Sequence, residues 1–217
     1  MNLCFDIDIA KDYTNKSQIS RVLTEYWVKI NGYCPNCGEL HLKEFENNRP
    51  VADFYCKSCS EQYELKSKNG IKLGNKIVDG AYTTMINRIT SDENPNFFFL
   101  TYDKMKWKVN NFLIVPKYYF TPEIIVKRNP LSKNARRAGW IGCNIDITRI
   151  PENGRIFLVK DSKIISKSNV QSKWKRTNFL KTKTGESKGW ILDIMNCVDQ
   201  YLRQNSAISA RINHEFH

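Results

Sequence analysis

The most constraining feature of the sequence is a pair of Cys-x-x-Cys motifs, Cys34-Pro-Asn-Cys37 and Cys56-Lys-Ser-Cys59, with eighteen residues between them. Two such knuckles at this spacing are typical of a tetrahedral zinc site, to which each knuckle supplies two thiolates. Four thiolates leave no open position for water, so the predicted Zn²⁺ is structural and stabilises the fold. An iron–sulfur cluster and a redox role are the alternatives, and the lack of other redox motifs favours zinc.

The second knuckle interrupts a segment with the pattern of a β-hairpin. Apolar and polar residues alternate over 51–55 and again over 62–66, which predicts two short strands. The knuckle lies between them, at the turn. The sequence therefore predicts one hairpin that carries half of the metal site.

The same hairpin carries two acids and a lysine. Glu64 and Lys66 are two residues apart, so they lie on one face of their strand, with the carbonyl of Leu65 between them. Asp53 on the partner strand can complete the group. Two carboxylates and a carbonyl are hard ligands suited to Mg²⁺, with Mn²⁺ as a possible substitute, and the lysine can orient or activate a water for phosphodiester hydrolysis. Solvated strand charges are the alternative interpretation, because these residue types are common.

The charge of the chain indicates its partner. The formal net charge is +12 and the pI is about 9.4, and a basic surface attracts polyanions such as nucleic acid. One acid-free cluster consists of Lys127, Arg128, Lys133, Arg136 and Arg137. Residues 160–190 hold nine Lys and Arg against two acids, and we expect Lys173, Lys175 and Arg176 to contact the nucleic-acid backbone. A merely solvated basic face is the alternative.

The order of predicted elements indicates the fold class. Helical periodicity is found in 17–31, where Ser17 is a candidate N-cap, and in 80–95 and 190–202. Apolar runs typical of buried strands occupy 96–102, 109–116 and 155–160. Residues 68–80 and 121–150 have the Gly and Pro content of loops. The sequence predicts one α/β domain with a mixed sheet flanked by helices.

The sequence shows neither a membrane-spanning segment nor a signal peptide, and this bears on the cellular compartment. No apolar run is long enough to span a bilayer, and the N-terminus has acids where a signal peptide needs basic and apolar residues. We therefore expect a cytoplasmic protein with no membrane partner. The reducing cytosol also favours metal binding over disulfides for the closely spaced cysteines.

Several segments carry a resemblance to a known family: FENNRPVADFYC, ELKSK, DGAY, NPNFFFLTY and ARRAGWIGCNID. Together they resemble the DpnI family of methyl-directed type II restriction endonucleases, collinearly from about residue 16 to about residue 199. The resemblance implies a PD-(D/E)XK nuclease core with an embedded Cys4 zinc site, which cleaves double-stranded DNA at GATC containing N6-methyladenine. The family's catalytic residues fall on Asp53, Glu64 and Lys66, and Ala52 replaces the expected proline.

The resemblance also implies that this domain helps to read the methylated site. The segment suited to that role contains Asn134, Arg136, Arg137 and Trp140. Arginine can contact phosphate or guanine, and an indole face offers apolar contact to a methyl group. A tryptophan buried in the core is the alternative interpretation of Trp140.

The resemblance ends before a second domain of the family. We expect a nuclease domain over residues 1–199, including a zinc ribbon over 31–62, and a short tail over 200–217 in place of the family's C-terminal winged helix. Eighteen residues are too few for that domain, since an average helix alone takes about eleven or twelve. We expect a monomer. The alternatives are a non-catalytic zinc-ribbon DNA-binding module and a nuclease without methyl dependence.

Overall fold

The computed structural model describes residues 1–45 and 52–215, with side chains through Asn205. Its strands in chain order are β1 (Lys43–Glu44), β2 (Phe54–Tyr55), β3 (Gln62–Asn69), β4 (Lys76–Ala81), β5 (Asn96–Asp103), β6 (Lys108–Val115), β7 (Ile125–Lys127), β8 (Gly142–Asp146), β9 (Ile156–Lys160) and β10 (Lys163–Ile164). Its α-helices are α1 (Lys16–Asn31), α2 (Tyr82–Ile89), α3 (Lys167–Thr177) and α4 (Gly185–Glu215). Val51, predicted to begin the first hairpin strand, lies outside the described residues.

The larger sheet has seven strands in the order β1-β2-β3-β5-β6-β9-β10. The central pair β3 and β5 is parallel, and the other neighbours are antiparallel. This confirms the predicted mixed sheet flanked by helices. The predicted hairpin is also present, as β2 and β3, with Phe54 opposite Tyr63.

Both faces of this sheet are covered, which explains the continuous apolar run of β5. Phe98 and Leu100 belong to one core, which includes residues of α1 and α3. Phe97 and Phe99 belong to the other core, which includes residues of α2 and of a second sheet. A strand buried on both faces needs apolar residues at successive positions rather than at alternate ones.

The second sheet was not predicted. It contains β4, β8 and β7 in that order, all antiparallel, with a bulge between Asp79 and Ala81. Residues 68–80 and 121–150 were expected to be loops because glycine and proline punctuate them. Their strands are three to six residues long, too short to show clear alternation. Residues 80 and 81 accordingly belong to β4, and the expected helix over 80–95 is the shorter α2.

One predicted detail of the helices was wrong, and one helix was not predicted. The N-cap of α1 is Asn15, whose side chain accepts hydrogen bonds from the backbone N–H groups of Ser17 (2.9 Å) and Gln18 (3.3 Å). Ser17 therefore lies within the first turn. Helix α3 was missed because only Val170, Trp174 and Thr177 are buried, too few to produce a visible apolar stripe.

Helix α4 departs most from expectation. The spacing of its apolar residues predicts a helix that closes the core, but among its described side chains only Leu192 is buried, while Ile191 and Met195 pack partly against the core. Trp190, Ile194, Val198, Tyr201 and Leu202 are exposed. The helix runs on from Gly185 to Glu215 and includes residues on both sides of Asp199. Among the described residues, no helix is both long and apolar enough to cross a membrane.

Candidate active site and metal centre

The four predicted metal ligands converge. The Sγ atoms of Cys34, Cys37, Cys56 and Cys59 all lie within 4.8 Å of one another. Cys34 Sγ is 3.5 Å from Cys59 Sγ, and Cys37 Sγ is 3.5 Å from Cys56 Sγ. A tetrahedral zinc with bonds of about 2.3 Å would separate neighbouring sulfurs by about 3.8 Å. The cluster could therefore hold a zinc ion.

The two knuckles have the same backbone turn. In each, the first cysteine's carbonyl accepts a hydrogen bond from the residue four positions later, Gly38 at 2.8 Å and Ser60 at 2.9 Å. Both of those residues have positive φ, +85° for Gly38 and +58° for Ser60. Glycine adopts this conformation without cost, and a serine there is held by its surroundings. The repeated turn aims both thiol pairs at one point.

The buried thiols of Cys34 and Cys56 are difficult to ionise without a bound metal. Burial raises the pKa of Cys56 to about 11, and the same cause raises the pKa of Cys34. The hydroxyl of Tyr63, on β3, lies 3.0 Å from Cys34 Sγ. Because zinc binds thiolates, metal binding here must displace protons, and the Tyr63 hydroxyl can then donate to the sulfur.

Asp53 is held by the strand opposite to it. The hairpin ladder continues beyond β2, since the Asp53 N–H donates to the Tyr63 carbonyl at 3.0 Å. The Asp53 side chain then accepts a hydrogen bond from the Leu65 N–H at 2.7 Å. In a strand, the N–H and C=O of one residue point to the same side, so the Leu65 carbonyl also lies on the edge near Asp53.

Glu64 and Lys66 project toward the second sheet and α2. This follows from the alternation of β3, whose Tyr63 and Leu65 pack in the opposite core. Lys66 Nζ is 2.6 Å from Glu64 Oε1 and also forms an ion pair with Asp79 of β4. Arg88 of α2 forms an ion pair with Glu64 Oε2. The predicted acid and lysine are therefore part of a four-residue charge cluster.

Asp79 and Arg88 were missed by the sequence reasoning. Asp79 lies in the segment DGAY, which carries part of the resemblance, but nothing in its spacing links it to Lys66. Arg88 had no signal beyond its position in a predicted helix. The Asp79–Lys66 and Arg88–Glu64 ion pairs depend on how the second sheet and α2 pack on the first sheet. Only the folded structure supplies that information.

Burial and charge set the protonation of the cluster. Burial raises the pKa of the Asp53 carboxyl, and the Leu65 hydrogen bond partly offsets this. Burial also raises the pKa of Glu64, against the opposing effect of Lys66 and Arg88. For Lys66, burial alone would lower the pKa, but the carboxylates of Glu64 and Asp79 outweigh it and raise that pKa. Lys66 is thus held as a cation.

A cleft of about 620 Å³ runs beside these residues. Its walls include Asp53, Glu64, Leu65 and Lys66, together with Arg21 and Glu25 of α1 and the basic side chains of Lys16 and Lys104. Arg21 and Glu25 form an ion pair of 2.8 Å, so their charges largely cancel. The cleft is open to solvent where a phosphodiester could enter.

The donor set fits a hard divalent cation. Asp53, Glu64 and the Leu65 carbonyl supply oxygen atoms in one cleft, the ligand type that Mg²⁺ prefers. Both Glu64 oxygens face cationic groups, Oε1 the Lys66 ammonium and Oε2 the Arg88 guanidinium. A carboxylate that attracts two cationic groups could also serve as a ligand for a divalent cation.

The predicted DNA contacts lie on two separate elements. Asn134, Arg136, Arg137 and Trp140 belong to residues 131–140, here called the reading loop, which connects β7 to β8. Trp140 is half-buried and lies outside both described core clusters, with the Arg137 guanidinium 4.6 Å from its ring centroid. Lys173, Lys175 and Arg176 are exposed on α3.

Helix α3 is attached to the first knuckle. Its buried Trp174 donates a hydrogen bond from Nε1 to Asn36 Oδ1 at 3.1 Å. Asn36 lies between the two cysteines of that knuckle. The exposed basic side chains of α3 are therefore carried by an element that rests on the metal site.

A comparison with known families decides the assignment. A family model described as "DpnI: Dam-replacing family" matches residues 1–183. The chain belongs to this family. The DpnI family match covers both knuckles, the acids and lysine of the cleft, the reading loop and α3. It confirms the resemblance drawn from the sequence, to a methyl-directed restriction enzyme, and ends before α4, which begins at Gly185.

Proposed function

We propose that this protein is a Mg²⁺-dependent endonuclease that hydrolyses phosphodiester bonds of double-stranded DNA at adenine-methylated sites, with G-N6-methyl-A-T-C as the sequence. The observation that carries the proposal is the convergence of Asp53, Glu64 and Lys66 in one open cleft of a DpnI family member. The core is proposed to have the PD-(D/E)XK architecture, with the acids on adjacent strands and the lysine two residues after the second acid.

Each cleft residue has a distinct role in this proposal. Asp53, Glu64 and the Leu65 carbonyl would hold the Mg²⁺, and Mn²⁺ could replace it. When bound, the cation stabilises the charge that develops on the phosphate and lowers the pKa of a water. Lys66, kept cationic by its neighbours, donates hydrogen bonds that orient the attacking water and stabilise the negative phosphate oxygens.

The zinc is proposed to be structural. Four thiolates would fill its coordination sphere, and both knuckles contact the strand that carries Glu64 through Tyr63 and the hairpin turn. Zinc would therefore fix the register between Asp53 and Glu64. The same reasoning supports a cytoplasmic location, since a reducing compartment keeps the cysteines available to the metal.

The DNA contacts are proposed to be divided between two elements. The reading loop would contact base edges and the methyl group, with Trp140 providing the apolar surface and Arg136, Arg137 and Asn134 the polar contacts. Lys173, Lys175 and Arg176 would contact the backbone of the duplex. Because Asp53, Glu64 and Lys66 line a single cleft, we propose that the catalytic unit is a monomer, with its nuclease domain over residues 1–199.

The first test is digestion of one plasmid prepared with and without adenine methylation at GATC, in Mg²⁺, with Lys66→Ala as the control. We expect discrete fragments from the methylated plasmid alone and none with the variant. Equal cutting of both plasmids would indicate a nuclease without methyl dependence. No cutting by folded, zinc-loaded protein that still binds DNA would support the non-catalytic binding module.

A further inference from the structure

The Lys66 ammonium has two carboxylate partners from different parts of the fold. Glu64 lies on the same strand, and Asp79 lies on β4 of the second sheet. The side chains of Lys66 and Asp79 are only 18% and 11% exposed. A buried ion pair that joins two sheets holds its lysine in one place, because each long-chain rotamer that leaves the pair abandons a buried charge.

The two carboxylates differ in what else they must do. Glu64 also forms an ion pair with Arg88 and, in the proposed function on which this inference rests, is a ligand of the cation. A carboxylate that shares its charge with a divalent cation attracts an ammonium less strongly. Among the described residues, Asp79 has Lys66 as its ion-pair partner and no other, so it is the carboxylate that can hold Lys66 throughout turnover.

The register of β4 determines the direction of the Asp79 side chain. Asp79 is opposite Cys143 of β8, and the bulge that follows it places Ala81 opposite Gly142. Gly80 lies within the bulge, and its carbonyl accepts from Cys143 Sγ at 3.5 Å. Asp79 itself is in register before the bulge and shares a face of β4 with the buried Ile77, so strand alternation directs its side chain toward the first sheet and Lys66.

We propose that Asp79 is a positioning residue for hydrolysis, which holds the Lys66 ammonium at the point where the attacking water is oriented. Asp79 acts through Lys66 and touches neither DNA nor the cation. A carboxylate in this place has two alternative roles, as a further metal ligand or as a contributor to stability alone.

Kinetics of Asp79→Asn separate these three roles. The substitution keeps the shape and removes the charge, and we expect kcat to fall about 100-fold, the scale of a misplaced catalytic group, with KM for DNA within about twofold. Asp79→Glu should recover part of the loss. In a Lys66→Ala background, whose residual cleavage is followed in prolonged single-turnover reactions, the same change should alter the rate less than about twofold, because the residue through which Asp79 acts is gone. Asp146→Asn, in the same sheet at a backbone-capping carboxylate outside the cleft, is the matched control.

Three results would overturn the proposal. A rise in the Mg²⁺ concentration needed for half-maximal activity, as expected for Glu64→Gln, would make Asp79 a metal ligand. Full multiplicative loss in the Lys66→Ala background would show that Asp79 acts independently of Lys66. A loss of activity that parallels a lower Tm would make its role structural.

A second measurement does not depend on hydrolysis. Acetylation of Lys66 by acetic anhydride, followed by mass spectrometry of the native protein, reports how firmly the amine is held. We expect Asp79→Asn to raise the labelling rate several-fold and Asp146→Asn to leave it unchanged. Equal rates in wild type and Asp79→Asn would overturn the proposal. If wild type protein cleaves no DNA but shows the expected labelling, the nuclease assignment fails and the positioning contact stands.

Discussion

At the scale of residues, one buried charge cluster joins Glu64 and Lys66 of β3 to Asp79 of β4 and Arg88 of α2. Asp53, Glu64 and Lys66 were predicted from residue type and spacing, and the structure brings them to one cleft. Their alternation on a strand is a local property, so the sequence alone could predict it. Asp79 and Arg88 complete the charge cluster from a sheet and a helix that approach from elsewhere in the chain, so local spacing contained no information about them.

Trp140 allows a sharp test of methyl recognition. Its half-buried position outside both described cores makes the indole a surface element of the reading loop. We expect Trp140→Ala to reduce the preference for methylated over unmethylated GATC by about tenfold or more, because the apolar contact of one methyl group is worth about 1–3 kcal/mol in discrimination. The measurement is kcat/KM on matched oligonucleotide duplexes.

The control for this prediction is Trp190→Ala. Trp190 is exposed on α4, beyond the family match, and its removal should leave the preference unchanged. Equal losses on both duplexes for Trp140→Ala, with a normal Tm, would remove methyl reading from this residue and assign it a general role in DNA binding.

At the scale of elements, the sequence predicted those strands that are long and have a clear hydrophobic pattern. Strands β5 and β6 were predicted because each is eight residues long and largely apolar. Strands β4, β7 and β8 are short and flanked by glycine or proline, and α3 is mostly polar, so none of them had a detectable period. These missed elements form the second sheet, which contributes Asp79 to the charge cluster, and a basic helix that contacts the first knuckle.

Helix α3 should contribute affinity without discrimination. Lys173 and Lys175 are exposed, so their replacement by alanine should not affect folding. Because each phosphate contact releases counterions, we expect the double variant to lower the slope of log K against log salt by up to about 1.8. Binding to methylated and unmethylated duplexes should weaken by the same factor, as measured by fluorescence anisotropy at several salt concentrations.

Lys106→Ala is the control for that measurement, since Lys106 is exposed at the turn between β5 and β6. A salt slope that is unchanged in the α3 double variant would show that this helix does not contact the phosphate backbone. Weaker binding to the methylated duplex alone would instead give α3 a part in recognition.

At the scale of the whole molecule, the metal site joins parts that are distant in sequence. Cys34 and Cys37 follow α1, Cys56 and Cys59 form the hairpin turn, and α3 contacts the first knuckle through Asn36. A zinc ion at their centre would restrain helix, hairpin and basic surface together. The sequence predicted the ligands from their spacing, but it gave no sign that α3 rests on them.

Zinc removal should therefore affect the whole fold. We expect one zinc per chain by atomic absorption, and a strong chelator should lower the Tm by about 5 °C or more. That shift corresponds to a loss of at least about 2 kcal/mol in a chain of this size. Activity should be lost in parallel, and added Mg²⁺ should not restore it.

Two cysteine variants test whether the effect of the chelator comes from the four-cysteine cluster. Cys37→Ser should reproduce the effect of the chelator, and Cys197→Ser, at an exposed position on α4, should leave zinc content and Tm unchanged. A chelated protein that retains its Tm and its cleavage activity would disprove the proposed bracing of the hairpin.

The alternation of β3 also limits how the gene for such a protein can change. Tyr63 and Leu65 face one core while Glu64 and Lys66 face the cleft, so inserting or deleting one codon between Cys59 and Glu64 would exchange the two sets. The carboxylate and the ammonium would then enter an apolar core. Length variation among relatives should therefore accumulate at exposed turns such as 104–106 and be excluded between the second knuckle and the acid that follows it.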